Sequence, residues 1–569
     1  MSAPTSPASP ASASAADALP PADREVAFPV LDDRDLDALR ARGQIREIRA
    51  GDMLFREGDR DRPFYVVLEG AVEIVAQSRD TPHLVVVHQA RQFSGDIDLL
   101  SGRGVLVSGR VVKDGQVLVL SPADLRRAVD ELPELGETII KAFLMRRSLL
   151  LGDEFVGVRI VGSRFSPDTH RLRDFATRNE VPVQWIDLDS DAEADSLLRQ
   201  FNVPASATPI VLGRAGQWVS NPSNADFAHC LGLETPLEAD HVYDLVVVGA
   251  GPTGLAASVY AASEGLDVLT IDKLAAGGQA GTSSRIENYL GFPAGISGAD
   301  LTRNATLQAQ RFGARISVPT TVRSLGIDGG ERMVTLTDGT RLRTRCVLVA
   351  SGVQYRRLDV PRLGEFEGAG VYYAATNMEA RQCRDEHAVV VGGGNSAGQA
   401  IVYLARFARQ VHVVLRGQDL GARMSRYLVD RIEQTGNVTI HKGARVTALE
   451  GNGHLGAVEV QTGGGEPQRI ETASLFLFIG ADPNTAWLRG CVELDLKGFV
   501  LTGTTLPGSL RDTERWRSAG RAPFLLETSL PGVFAAGDVR AGSAKRVAAA
   551  VGEGAMAVSF VHEHIARPV

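Results

Sequence analysis

The chain has 569 residues, 44% hydrophobic and 22% charged, and its 68 acidic and 60 basic residues give a formal charge of −8. This length predicts three or four domains, and the acidic balance argues against a protein that wraps nucleic acid or lies on an anionic membrane. Four cysteines with no CxxC spacing exclude a disulfide-stapled secreted fold and favour a reducing, cytoplasmic compartment.

The N-terminal residues 1–24 are rich in Ala, Ser and Pro and lack the basic and apolar regions of a signal peptide, which predicts a disordered tail. The uncharged stretch Leu245–Ser263 is long enough to be mistaken for a membrane span. Because it contains three glycines and a proline in a nucleotide-binding arrangement, we expect no membrane segment.

Two units precede the nucleotide motifs. Residues 25–150 contain short β-type runs separated by Gly/Asp turns, then a helical stretch from about Pro122, which predicts a β-barrel or jelly roll followed by helix. Residues 155–237 alternate strand and helix patterns, which predicts a compact α/β unit.

The first nucleotide motif is Gly249-Ala250-Gly251-Pro252-Thr253-Gly254, directly after the apolar strand Leu245–Val248. In this spacing the first glycine makes a tight turn, the second lets the backbone approach a pyrophosphate, and the third lets helix and strand pack closely. Asp272 ends the next strand, where a carboxylate can accept ribose hydroxyls. The alternative is a glycine-rich turn without a ligand, but this alternative does not explain why Asp272 stands at the end of the next strand.

A second motif, Gly392-Gly393-Gly394-Asn395-Ser396-Ala397, follows the strand Ala388–Val391. Its next strand ends at Arg416 rather than at an acid, and an arginine can pair with a 2′-phosphate, which favours NADP(H) over NAD(H). Arg423 is a second candidate for this role. The alternative is that Arg416 is only a solvated strand end. Two dinucleotide folds in one chain indicate a flavin and a nicotinamide.

From about Tyr243 onwards the sequence resembles low-molecular-weight thioredoxin reductase and its relatives. The matching stretches are a flavin loop, two domain crossovers and a second FAD motif, namely Gly277-Gly278-Gln279 with Glu287-Asn288-Tyr289, Val349-Ala350-Ser351-Gly352, Phe478–Thr485 and Val533–Asp538. The resemblance implies an FAD-binding domain of residues 241–354 and 479–569, an inserted NADPH-binding domain of residues 355–478, and a homodimer.

The same resemblance, with the two motifs, gives the expected cofactor contacts. For FAD they are Gly249, Gly251, Pro252, Thr253, Gly254, Asp272, Gly278, Gln279, Asn288, Gly537, Asp538, Arg546 and Val547. For NADPH they are Gly392, Gly394, Asn395, Ser396, Ala397, Arg416 and Arg423. Hydride transfer between the cofactors needs stacking and positioning rather than a side-chain base, so no catalytic side chain is predicted.

The resemblance breaks at the redox-active cysteine pair. Ala374 and Asn377 occupy the two cysteine positions, and Met378 replaces the neighbouring acid. Thiol–disulfide exchange needs one thiolate to attack and a second thiol to resolve the mixed disulfide. The remaining cysteines have no thiol neighbour in sequence and are predicted to be inert: Cys230, Cys346, Cys383 and Cys491.

The α/β unit of residues 155–237 resembles thioredoxin or glutaredoxin, with Thr208-Pro209 where that fold has a cis-proline. Its first strand-to-helix segment, Arg164–Thr169, contains no cysteine either. The cysteine pair of the reductase-like part and that of the α/β unit are therefore both absent, which indicates that electrons leave the flavin by another route.

Residues 25–150 resemble a cyclic-nucleotide-binding domain. In the segment Phe93–Leu100, Asp96 can accept a ribose hydroxyl, but Val105–Val107 stands where the family has its phosphate-binding arginine. Arg103 and Arg110 are the basic alternatives, and neither is in register. The domain is predicted either to bind a cyclic nucleotide or, as favoured here, to be a retained barrel used for contacts or regulation.

These patterns predict a multidomain protein that acts as an FAD-dependent, NADPH-oxidising reductase, with no metal and no nucleic-acid partner. The electron acceptor is left open among ferredoxin, a quinone and a protein docking on the thioredoxin-like unit. One alternative is a thioredoxin-disulfide reductase, as the family resemblance implies. Another is a flavin or nucleotide redox sensor with incidental turnover.

Overall fold

Six β-sheets carry the fold of the residues that the computed structural model describes. These are residues 14–566 apart from 61, 79–80, 97, 153–157, 192–193, 202, 213–217, 234, 236, 239–240, 329 and 512. No helix among them is both long enough and apolar enough to cross a membrane. The uncharged stretch Leu245–Ser263 divides into a strand, a turn and a helix.

The N-terminal unit is a β-roll covered by helices. Its elements are α1 Pro21–Ala27, α2 Asp33–Arg40, β1 Gln44–Ile48, β2 Met53–Phe55, β3 Phe64–Ser78, β4 Thr81–His88, α3 Asp98–Ser101, β5 Ser108–Leu120, α4 Pro122–Glu131 and α5 Pro133–Gly152. The strands pair in the order β1-β5-β3-β4, with β2 also on β5. Pro122 and Pro133 each begin a helix, because the missing N–H of proline costs nothing there. Residue 97, in the middle of the predicted nucleotide segment, lies outside the described residues.

Residues 14–24 are folded, so the prediction of a disordered tail is wrong for this part, whereas residues 1–13 lie outside the described residues. A capping box between Ser14 and Asp17 begins a short 3-10 helix, and α1 follows it. Ala15 and Ala16 are buried in the core of the β-roll. Because alanine side chains are small, the backbone of this segment can lie close to the strands.

The second unit is a small α/β layer structure. Its elements are β6 Val158–Gly162, α6 Pro167–Arg178, β7 Val183–Asp187, α7 Ala194–Gln200, β8 Ile210–Leu212, β9 Trp218–Ser220 and α8 Asn224–Cys230. The sheet order is β7-β6-β8-β9, with β6 and β7 parallel and β8 and β9 antiparallel. The Thr208-Pro209 peptide bond is cis, as expected.

The third unit is built on a largely parallel sheet. Its first elements are β10 Val242–Val248, α9 Pro252–Ser263, β11 Val268–Ile271, α10 Gly298–Arg311, β12 Arg315–Ser317, β13 Val322–Asp328, β14 Glu331–Leu336, β15 Arg341–Val349 and β16 Val353–Tyr355. The order is β12-β11-β10-β15-β14-β13. The central strands are apolar on both faces because helices or strands cover both sides of the sheet.

A second parallel sheet follows in the chain. The elements are α11 Leu363–Phe366, β17 Val371–Tyr372, α12 Asn377–Gln382, β18 His387–Val391, α13 Asn395–Leu404, β19 Gln410–Leu415, α14 Arg426–Glu433, β20 Val438–Lys442, β21 Ala444–Gly451, β22 Leu455–Thr462, β23 Gln468–Glu471 and β24 Ser474–Leu477. The parallel order is β17-β24-β18-β19-β20, and β21-β22-β23 form an antiparallel sheet.

The C-terminal residues return to the third unit. They form β25 Ala481–Pro483, α15 Gly508–Arg511, α16 Glu514–Ser518, β26 Val533–Ala535 and α17 Val547–Ile565. Strand β25 pairs with β16, and β26 lies parallel to β15. Helix α17 packs on α9 so closely that a Cβ at Gly554 would lie 2.2 Å from the carbonyl oxygen of Thr253.

Candidate active site

The first glycine turn lies between β10 and α9 and has one open face. Gly249 has a φ of +113°, and a Cβ there would lie 2.2 Å from the Ala350 carbonyl oxygen. A Cβ at Gly254 would lie 1.8 Å from the carbonyl oxygen of Gly249. At Gly251 the nearest atom to a Cβ would be the Gly278 Cα, 3.8 Å away. The outer two glycines are thus required by the fold, and the middle one leaves room for a ligand.

Asp272 lies beside this turn, directly after β11. Its carboxylate accepts hydrogen bonds from the backbone N–H groups of Ala250, at 3.0 Å, and Leu274, at 2.9 Å. Burial raises the pKa of Asp272, and these hydrogen bonds act in the opposite direction. A partly buried carboxylate at the end of the second strand can accept the hydroxyls of a ribose.

Two more segments with the flavin-type motifs meet the same turn. The Gly277 N–H donates to the Ala250 carbonyl at 2.8 Å, and a Cβ at Gly278 would lie 2.9 Å from the Gly251 Cα. A Cβ at Gly537 would lie 2.1 Å from the Thr253 hydroxyl oxygen. Three separate stretches of the chain therefore converge on one cradle, which fits the diphosphate and ribose of a dinucleotide.

The other residues expected to contact FAD lie around this cradle to different degrees. Asp538 is partly buried, and burial raises its pKa. The Gln279 side-chain amide donates to the Val353 carbonyl. Asn288 is exposed, and Arg546 is an exposed residue that immediately precedes α17, whose first residue is Val547. The described contacts do not bring Asn288 to the turn.

The second glycine turn lies between β18 and α13. Gly392 has a φ of +151°, and a Cβ there would lie 2.6 Å from the Phe478 carbonyl oxygen, whereas a Cβ at Gly394 would meet nothing within 4 Å. The Ser425 N–H donates to the Asn395 side chain at 2.7 Å, which holds the loop before α14 over the turn. Ser396 is exposed and Ala397 is buried. The turn therefore has the same open middle as the first one.

Arg416 and Arg423 flank the second turn. Arg416 is the first residue after β19, and Arg423 lies two residues before Ser425. Both side chains are exposed, and no carboxylate within the described part of the chain pairs with either. Both guanidinium groups are thus available to an anion such as a 2′-phosphate.

The positions expected for a cysteine pair begin helix α12. Ala374 is partly buried and Asn377 is exposed, and the Tyr403 hydroxyl donates to the Asn377 side chain. The sulfur of Cys383 at the other end of the helix is buried and donates to the Glu379 carbonyl oxygen at 3.3 Å. Burial raises the pKa of Cys383 to about 11, so this thiol is protonated at neutral pH. Cys346, in β15, is buried and its pKa is raised by burial to about 12.

The small α/β unit contacts this helix through α6, and it contacts the turn between β21 and β22 through the segment where its own cysteines were expected. His170 Nε2 lies 3.3 Å from Glu379 Oε1. The ring of Phe165 stacks on His454 with 4.1 Å between centroids. No sequence motif indicates this interface, although Thr376 and Glu379 have the spacing of a capping box.

The small α/β unit also contacts the third unit, which contains the first glycine turn. The Asn179 amide donates to the Leu274 carbonyl at 3.1 Å, and Glu180 forms an ion pair with Arg303 of α10. The unit thus joins the two parallel-sheet units, with contacts close to Asp272 on one side and to α12 on the other.

In the β-roll, the arginines considered from sequence are both engaged elsewhere. Arg103 donates to the Asn179 carbonyl at 3.2 Å, and Arg110 pairs with Glu73. Val105 and Val107 are buried and apolar. Asp96 instead pairs at 3.0 Å with Arg62, a residue that the sequence did not single out.

Comparisons with known proteins agree with this architecture. The profile of the family described as pyridine nucleotide-disulphide oxidoreductase matches residues 243–554, and that of the cyclic nucleotide-binding domain matches residues 45–131. A thioredoxin reductase of Streptomyces clavuligerus is 32% identical over 327 residues, covering 57% of this chain and 94% of that protein.

Two further relatives match a similar share of the chain. NADPH-dependent thioredoxin reductase 3 of Arabidopsis thaliana is 32% identical over 334 residues, covering 57% of this chain and 58% of that protein. The crystal structure of T. acidophilum thioredoxin reductase matches with a TM-score of 0.50 and 28% identity, covering 57% of this chain and 100% of the other. Since the family profile spans more than half of the chain, the protein belongs to the pyridine nucleotide-disulphide oxidoreductase family, as an NAD(P)H-dependent flavoprotein oxidoreductase with an N-terminal cyclic nucleotide-binding domain.

Proposed function

We propose that the protein is an FAD-dependent, NADPH-oxidising reductase that passes electrons to an acceptor without a disulfide of its own. The observation that carries this proposal is the pair Ala374 and Asn377 at the start of α12, with Cys383 of the same helix buried and protonated. Neither alanine nor asparagine can form a mixed disulfide, and one buried thiol has no partner to resolve it.

The first glycine turn is the proposed FAD site. Gly251 offers its open backbone to the diphosphate, and the N-terminus of α9 adds unpaired N–H groups with the positive end of the helix dipole. Asp272 would accept ribose hydroxyls, and Asp538 would hold the ribityl chain, as the family resemblance implies. The contacts of Gly278 and Gly537 with this turn support both assignments.

The second turn is the proposed NADPH site. Gly394 and the N-terminus of α13 would face the diphosphate, and Asn395 would keep the loop before α14 closed over it. Arg416 and Arg423 would pair with the 2′-phosphate that distinguishes NADPH from NADH. Together the two cofactors supply hydride transfer and onward electron transfer.

The proposed domain layout is an NADPH domain, residues 355–478, inserted into an FAD domain of residues 241–354 and 479–569. Pairing of β16 with β25 at the two crossings supports this layout, as does pairing of β15 with β26. For residues 155–237 we propose a thioredoxin-like unit without cysteines. The cis Thr208-Pro209 bond and the order β7-β6-β8-β9 support that assignment.

The position of the thioredoxin-like unit argues against a separate thioredoxin as acceptor. The contact of His170 with Glu379 already covers part of α12. The proposed electron acceptor is therefore a quinone, ferredoxin or another protein that docks elsewhere on the thioredoxin-like unit.

A redox or nucleotide sensor is the second candidate, because the β-roll is directly connected to the FAD-type unit. Arg147 of α5 donates to the Glu180 carbonyl at 3.0 Å, and Glu180 pairs with Arg303. Leu307 of α10 lies within the hydrophobic core of the β-roll. Rapid steady NADPH consumption with an acceptor would favour the enzyme, whereas slow reduction that changes oligomerisation would favour the sensor.

The test is anaerobic reduction of the purified protein by NADPH and, separately, by NADH, followed by oxidised thioredoxin. We expect NADPH to bleach the flavin at lower concentration than NADH, and thioredoxin to leave it reduced. A quinone should then restore the oxidised spectrum. Thioredoxin reduction at an enzymatic rate would contradict the proposal, and loss of that rate in Cys383→Ala would identify the missed thiol.

A further inference from the structure

Helix α10 contacts both the β-roll and the 277–283 loop, which carries the expected flavin contacts Gly278 and Gln279. The first residue of α10, Gly298, lies so close to this loop that a Cβ there would be 1.8 Å from the Ala280 carbonyl oxygen. The Gly298 N–H also donates to the Ser283 carbonyl at 2.8 Å. The first turn of α10 and the 277–283 loop therefore pack as one unit.

The second turn of α10 supports the same loop through Thr302. This side chain is buried, and its hydroxyl donates to the Gly298 carbonyl at 2.9 Å. A Cβ at Gly277 would lie 2.7 Å from the Thr302 hydroxyl oxygen, so only glycine fits at the start of the loop. Because the Gly277 N–H donates to Ala250 of the first glycine turn, the loop is held between that turn and α10.

The C-terminal end of α10 belongs to the β-roll. Leu307 is 4% exposed and lies in a core cluster with Phe93 and Phe143, and every other buried member of this cluster comes from residues 25–150. Arg311, the last residue of α10, pairs with Asp130 of α4 at 3.0 Å. One helix is thus buried against the β-roll at one end and against the 277–283 loop at the other.

A second set of contacts fixes the middle of α10 to the β-roll through Glu180. The Glu180 side chain pairs with Arg303 of α10, and its carbonyl accepts from Arg147 of α5 at 3.0 Å. Arg147 in turn pairs with Asp98 of α3 at 2.9 Å, and both side chains are almost fully buried. Glu180 has a φ of +57°, which is uncommon for a residue other than glycine, and the two arginines hold it there from opposite sides.

We propose that FAD binding at the first glycine turn and the packing of α3 and α4 on α10 stabilise each other, so that the β-roll raises the affinity of this turn for FAD. The inference rests on the proposed FAD site and adds its regulation. Packed side chains and a rigid helix carry energetic coupling between distant segments. Such coupling is reciprocal, so the factor by which the β-roll contacts raise FAD affinity is the factor by which FAD stabilises those contacts. Leu307 is a positioning residue in this account, since it acts through α10.

Hydrogen–deuterium exchange of the full-length apoprotein, with and without saturating FAD, tests the coupling without any variant. FAD should slow amide exchange at least threefold in the 277–283 loop and also in α3 and α4, because local opening of a segment is suppressed by whatever binds its closed form. Strand β2, whose residues Leu54 and Phe55 lie in the other core cluster of the β-roll, should change by less than twofold. Protection of the loop without protection of α3 and α4 would overturn the inference and leave the FAD site standing. No protection of the loop, with no flavin retained, would refute the FAD site and this inference with it.

The second measurement is the Kd of FAD, obtained from flavin fluorescence. Leu307→Ala should raise this Kd at least fivefold, and Leu307→Met should stay within twofold of the unmodified protein, because methionine has a similar volume. Leu54→Ala is the matched control: it makes the same truncation in the other core cluster and should leave the Kd within twofold. An unchanged Kd in Leu307→Ala, or an equal rise in Leu54→Ala, would contradict coupling through α10.

Discussion

Replacing Gly251 by alanine should weaken FAD binding strongly while leaving the fold intact. A Cβ at this position would meet only the Gly278 Cα at 3.8 Å, and the φ of −74° is one that alanine adopts. The new methyl group would point into the open face of the turn, where the diphosphate is proposed to lie. Without FAD, we expect the free energy of unfolding to change by less than about 1 kcal/mol.

The magnitude with FAD present follows from linkage. At an FAD concentration of about 100 times Kd, binding stabilises the native state by about 2.7 kcal/mol. A variant whose Kd is raised about 100-fold would gain only about 0.4 kcal/mol at the same concentration. The two proteins should therefore have similar stability as apoproteins and differ by about 2.3 kcal/mol with the cofactor.

Thermal unfolding of apoprotein with and without FAD, together with the flavin absorbance retained after gel filtration, measures both effects. Gly254→Ala is the matched control, because its Cβ would lie 1.8 Å from the Gly249 carbonyl oxygen and should destabilise the protein with or without FAD. Full retention of FAD by Gly251→Ala, with the stabilisation of the unmodified protein, would refute the assignment of this turn.

Three further predictions concern the second turn and α12. Arg416→Gln should raise the KM for NADPH at least tenfold and leave the KM for NADH within twofold, and equal changes would contradict the 2′-phosphate contact. Burial raises the pKa of Glu379 and hydrogen bonds from His170 and Thr376 lower it, with a net downward shift. The stability that this carboxylate contributes should therefore be lost as pH falls through its folded-state pKa, and Glu379→Gln should flatten this dependence in acid unfolding curves. Cys383→Ala should change NADPH-dependent flavin reduction by less than twofold in stopped-flow traces, because the thiol is buried and protonated.

The parts of the fold that depend on short-range spacing could be predicted from the sequence. Both glycine turns and the position of Asp272 follow from patterns within about thirty residues. The predicted strands Leu245–Val248 and Ala388–Val391 end where the structure ends β10 and β18, because both apolar runs stop at a glycine turn. The long strand β3 differs from the short β-type runs expected for residues 25–150, because the chain continues through Gly70 with a φ of +88°.

The parts that depend on contacts between distant segments could not be predicted. His170 and Glu379 are separated by 209 positions, and neither lies in a motif that identifies the other. Arg62, which pairs with Asp96, was also missed, because the two residues are separated by 34 positions in the chain. The folded segment at residues 14–24 escaped prediction for a related reason, since its alanines are ordered by the β-roll rather than by their own propensities.

The number of electrons that the protein accepts tests the absence of a disulfide relay most directly. Anaerobic titration with NADPH, followed by flavin absorbance and thiol counting, should end at one NADPH per FAD, with no new thiols. The double variant Ala374→Cys/Asn377→Cys is the matched control, and it should take up a second equivalent once its cysteines have been oxidised to a disulfide. Uptake of two equivalents by the unmodified protein, with two new thiols, would contradict the account.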